Sequence, residues 1–78
     1  MADQEIAVRV DASGLSCPMP IVKASQAIRS VQPGQCVEVI ATDPGSVKDF
    51  EAWARSTGNL LVESSVEAGK YRYVLRRS

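Results

Sequence analysis

The chain has 78 residues, 45% of them apolar and 23% charged, with nine basic side chains balancing nine acidic ones. That length suits one domain, 1–78, with a modest core, because folding at this size buries only about 60–65% of the unfolded surface. No deep enclosed active site is expected at this size, and zero net charge gives no long-range pull toward nucleic acid or anionic lipid.

Met1 to Val10 contain no apolar run, so no secretory signal is expected. No segment approaches the roughly 18–20 apolar residues of a membrane helix, so no membrane partner is expected and the expected location is cytoplasmic. Ile6, Val8 and Val10 alternate with Ala7, Arg9 and Asp11, the pattern of a half-buried strand. Ala12 to Ser16 form a short loop in which Gly14 supplies backbone freedom. Cys17-Pro-Met-Pro20 then opens an amphipathic helix with Ile21, Ala24, Ile28 and Val31 on one face, ended by Gln32-Pro33-Gly34.

Cys36 to Ala41 are rich in β-branched residues and predict a second strand. Thr42-Asp43-Pro44 opens a second helix, with Asp43 as N-cap and Pro44 at the first helical position. Val47, Phe50 and Ala54 share its inner face, Trp53 lies at the margin, and Gly58 ends it. Leu60 to Val66 and Lys70 to Arg76 form a closing hairpin around Glu67-Ala68-Gly69. The order β-α-β-α-β-β predicts an α/β (α+β) two-layer sandwich: a four-stranded mixed sheet with two helices on one face and water on the other. Strand order is not legible from these patterns.

Two cysteines and no histidine restrict the chemistry. Two thiols do not make a disulfide framework, and with no imidazole they do not complete a four-ligand zinc site. No metal and no cofactor are expected. A cysteine hydrolase, which draws on an imidazole base, is excluded for the chain acting alone.

Cys17 carries the candidate chemistry. With Pro18 at the first helical position, Cys17 is the expected N-cap, and the two prolines leave the Met19 and Ile21 N–H groups near the sulfur. The helix dipole there favours thiolate over thiol and would lower the pKa; a persulfide anion gains from the same field. The alternative is a small buried cysteine that only packs.

Asp11, Gly14, Leu15, Cys17, Pro18 and Pro20 match the CPxP signature of the TusA/SirA-like sulfur carriers, and the whole chain resembles that family. The resemblance continues through Gln32-Pro33-Gly34, Asp43-Pro44 and Tyr71-Arg72-Tyr73. It implies a carrier cysteine at Cys17 and a sulfurtransferase-type role alongside partner enzymes. The implied donor is a cysteine desulfurase or a rhodanese-type protein. The implied recipient is a downstream relay protein in tRNA thiolation, sulfur oxidation or cofactor assembly. Pro18 and Pro20 are implied shapers of the site, with Asp11 and Gly14 shaping the loop. Met19 and Asp43 are candidate partner contacts. A monomer is expected of a carrier that must present one thiol to two proteins.

Three other features have plainer explanations. Cys36 shares a strand face with Glu38 and Ile40, which predicts partial exposure on the open side of the sheet and a structural role. Asp43 is explained by capping, although its place after a strand end also puts it at the edge of the sheet where Cys17 lies. Lys70, Arg72 and Arg76 alternate with Tyr71, Tyr73 and Leu75, a pattern that could stack and neutralise RNA but more often is a solvated strand face. No direct nucleic-acid contact is expected. The competing functions are an RNA- or protein-binding regulatory module with a structural Cys17, and an independent thiol enzyme.

Overall fold

Six elements follow one another in the computed structural model, which describes residues 6–78: β1 (Ile6–Ala12), α1 (Met19–Arg29), β2 (Cys36–Ala41), α2 (Ser46–Thr57), β3 (Leu60–Glu67) and β4 (Lys70–Arg76). Residues 1–5, half of the stretch read above as lacking a secretory signal, lie outside the described residues.

The strands form one sheet in the order β1-β2-β4-β3. β1 and β2 are parallel neighbours joined through α1, whereas β4 lies antiparallel between β2 and β3. The crossover through α2 therefore passes over the position of β4 and delivers β3 to the far edge, from which the closing hairpin returns.

Both helices lie on one face. Ala24 and Ile28 of α1 and Phe50, Trp53 and Ala54 of α2 share a buried cluster with Val37, Val39, Ala41, Tyr73 and Leu75 of the central strands. Each large apolar side chain so buried contributes roughly 1.5–3 kcal/mol. Phe50 stacks on Tyr73 at 4.5 Å between ring centroids, and Trp53 meets Phe50 edge-on at 6.2 Å. The Trp53 indole N–H donates to Ser25 Oγ at 2.9 Å, tying α2 to α1. Val31, expected on the helix, instead enters the core from the turn after α1 and is still buried.

The helix starts differ from expectation. α1 begins at Met19 with Pro18 at the cap, so Cys17 precedes the cap by one residue. A turn over Ser16–Met19, closed by Met19 N–H to Ser16 O at 2.9 Å, occupies the place of the first helical turn. Its Cys17–Pro18 peptide is cis, and Pro18 sits where a type VI turn places its cis proline. α2 likewise begins at Ser46 with Gly45 at the cap, after a turn closed by Ser46 N–H to Asp43 O at 3.0 Å. Asp43 is thus two residues ahead of the cap that it was expected to be.

The open face of the sheet holds the other correction. Cys36 is buried, at 1% exposure, not partly exposed. β2 is an interior strand, flanked in register at this position by Ile6 and Arg76, so even its outward side chains are hemmed in. Val74 is buried on the same face.

Candidate functional site

The loop between β1 and α1 leaves the carboxyl end of its strand and carries Cys17 on the surface. Its backbone donors are nearly all engaged. Ser13 N–H donates to Asp11 Oδ1 (3.0 Å), Gly14 N–H to Thr42 Oγ1 (2.9 Å), Leu15 N–H to Ala12 O (3.2 Å) and Cys17 N–H to Asp43 Oδ2 (3.0 Å). Met19 N–H, expected near the sulfur as a free donor, is used within the Ser16–Met19 turn. Among the described residues, only the Ser16 and Ile21 N–H groups of this stretch have no partner in the protein.

Each sequence-derived site residue has a distinct place here. Asp11 holds the start of the loop through Ser13, and those bonds keep its carboxyl below the usual carboxylate range. Gly14 has φ near +79°, with open space where a side chain would stand, so it is the backbone conformation that requires glycine. Leu15 packs against the core and anchors the loop from within. Pro20 is fully buried and fixes the first turn of α1, whereas Pro18 is exposed within the preceding turn. Met19 is 42% exposed, next to the turn that bears the sulfur.

Two carboxylates reach the site from the other side of the β2–α2 connection. Asp43 touches the Cys17 amide directly. Asp49, on the first turn of α2, lies close enough to act on the sulfur as an acceptor for the S–H. This acceptor, local desolvation, and the negative charges of Asp49 and Asp43 together push the Cys17 thiol above its ordinary pKa. The expectation of a lowered pKa is therefore reversed. It counted the dipole of α1 and omitted acids delivered by tertiary structure. Asp49 was missed altogether, because an acid in the first turn of a helix is already explained by the dipole of that helix.

The basic strand offers no comparable site. Arg72 is held between Glu38 and Glu63, and Tyr73 is buried with its hydroxyl 2.6 Å from Ser46 Oγ. Two surface depressions of about 360 and 380 Å³ lie elsewhere, one beside Trp53 and Arg77 and one beside Ile40 and Arg72; neither is lined by Cys17. Among the described residues no three metal-ligating side chains cluster, and no helix is long and apolar enough to cross a membrane.

Cys17 thus stands exposed on a hydrogen-bonded turn, outside both depressions. A family model described as Sulfurtransferase TusA matches residues 8–77. The "Sulfur carrier protein TusA" of Allochromatium vinosum is 51% identical over 76 residues, covering 97% of this chain and 95% of that protein. A "Putative sulfur carrier protein" of Aquifex aeolicus is 46% identical over 61 residues, 78% of this chain but 31% of that longer protein. The crystal structure of a SirA-like protein from Desulfitobacterium hafniense superposes with a TM-score of 0.78 over 88% of this chain and 95% of that one. At 22% identity it speaks to the fold. The chain belongs to the TusA family of sulfur carriers.

Proposed function

We propose that the chain carries sulfane sulfur as a persulfide on Cys17, accepting it from a cysteine desulfurase or rhodanese-type donor and handing it to a relay protein. The observation that carries this reading is the exposure of Cys17 on the turn that opens α1, within a chain of this family. In the loading step the Cys17 sulfur, as thiolate, attacks the terminal sulfur of a donor persulfide. The donor S–S bond breaks, its cysteine departs as thiolate, and the proton lost by Cys17 ends on the departing sulfur. The exchange consumes no oxidant. Unloading is the same step with Cys17 as leaving group.

Asp11, Gly14, Pro18 and Pro20 shape the loop in this reading, and the exposed Met19 and the half-buried Asp43 lie where a docked partner would meet the chain. The chain works as one carrier domain and as a monomer, in the cytosol, where reducing conditions keep thiols free. Acceptors in tRNA thiolation, sulfur oxidation or cofactor assembly all fit the same exchange.

Incubation with a cysteine desulfurase and cysteine, followed by intact-mass measurement, tests the assignment. Wild type and Cys36→Ser should gain the mass of one sulfur atom, lost on reduction, and Cys17→Ser should gain none. Equal loading of Cys17→Ser would remove Cys17 from the mechanism.

A further inference from the structure

We propose that Asp43 is the positioning residue of the sulfur-bearing turn, its carboxylate clamping the Cys17 amide to the entry of α2. The role rests on Cys17 being the sulfur-bearing residue. One carboxylate serves two segments: Oδ1 accepts from Gly45 N–H at 3.1 Å, and Oδ2 accepts from Cys17 N–H at 3.0 Å. Capping does not account for this. α2 has Gly45 at its cap and no side-chain cap bond, and an acid needed only to shape the Asp43–Ser46 turn would use a single oxygen.

The second oxygen points away from α2 into a loop 26 residues earlier in the chain. Thr42 doubles the tie through Gly14 N–H. The loop that presents the thiol is therefore bound to Thr42-Asp43 at two amides, three residues apart. The two N–H donors come from separate segments, and each takes an oxygen of its own. A carboxylate provides both and strengthens each through its charge. Asparagine offers one oxygen, and alanine none. The same charge stands close to the sulfur, so the clamp that holds the turn also disfavours the thiolate.

Asp43→Ala, Asp43→Asn and Thr42→Val in the full chain test the role, each first shown to retain the near-ultraviolet signal of Trp53. Solvent exchange of the Cys17 amide reports the clamp. It should accelerate at least about tenfold in Asp43→Ala, the scale of losing one charge-assisted bond, and less in Asp43→Asn. The pH profile of Cys17 alkylation by iodoacetamide reports the charge, and its inflection should move to lower pH in both Asp43 variants but not in Thr42→Val. Unchanged amide exchange together with an unchanged inflection in Asp43→Asn overturns the proposal, even if Asp43→Ala fails to fold. Loading by inorganic polysulfide, which needs no partner, is read in parallel. Wild type that refuses sulfur while its amide and alkylation results hold would refute the carrier reading and leave the clamp standing.

Discussion

Cys17 sits between opposing fields. It stands one residue ahead of the cap of α1, where a helix dipole favours an anion. Against that, the Asp49 acceptor, desolvation and the charges of Asp49 and Asp43 favour the protonated thiol and raise its pKa. The sign for reactivity follows. With a raised pKa the thiol is protonated at neutral pH, and alkylation climbs as pH rises through that value. Asp49→Asn removes the larger opposing group, so the inflection should fall. The rate at pH 7 should then rise by about two- to tenfold, because more of the sulfur is thiolate at that pH. Iodoacetamide kinetics from pH 6 to 10 measure this; a profile identical to wild type would show that Asp49 has no hold on the sulfur. Cys36, buried in β2, should stay unlabelled in the folded protein and react only in denaturant, as peptide mapping would show. The exposed cysteine ahead of α1 was legible, because a glycine loop and paired prolines are local signals. Asp49 was not, since it comes near Cys17 only once α1, β2 and the start of α2 have folded.

At the scale of elements, α2 shows which local rules survive folding. Gly58 ends the helix with φ near +77°, its N–H bonded to Ala54 O, in open surroundings where a methyl group would clash with nothing. Gly58→Ala should therefore lose only the conformational term, about 1–2 kcal/mol, seen as a lower urea midpoint with an unchanged slope. The inner face of α2 depends on its partners instead. Ser46, 1% exposed, is bonded through Oγ to the Tyr73 hydroxyl. Tyr73→Phe keeps the ring stacked on Phe50 but strands the Ser46 hydroxyl, and should cost about 1–3 kcal/mol; Tyr73→Phe combined with Ser46→Ala should recover part of that loss. Alternation in β1 and β4 and 3.6-residue spacing in the two helices located those elements, because burial on one face imposes those periods, and β-branched content located β2. The starts of α1 and α2 are displaced because a four-residue turn precedes each helix, closed by Met19 N–H to Ser16 O in one and by Ser46 N–H to Asp43 O in the other.

At the scale of the molecule, the sheet order decides which charges meet. Arg9, Glu38, Arg72 and Glu63 come from β1, β2, β4 and β3, the order of the strands across the sheet, and form an unbroken row of alternating sign. Nothing in the sequence joins these four residues; the row exists only once β4 has inserted between β2 and β3. Val74, buried on the open face, is opposite Glu38 on one side and Glu63 on the other in register, and both acids are bridged by Arg72. The row thus roofs an apolar side chain that has no second layer above it. It also pairs Arg72 of the basic strand with two carboxylates. Glu38 is the keystone, with its side chain 13% exposed and one oxygen on each arginine. Glu38→Gln should leave Arg9 without its partner and Arg72 with Glu63 alone, and destabilise the fold by roughly 1–3 kcal/mol, as hydrogen bonds to charged groups are worth. Arg9→Ala, at a side chain 71% exposed, should cost less than about 1 kcal/mol. Raising salt to 1 M, where the screening length is about 3 Å, should shrink the Arg9 effect and largely spare the Glu38 effect. Urea midpoints at low and high salt compare the two, and equal losses at Glu38 and Arg9 would show four separate surface charges with no shared roof.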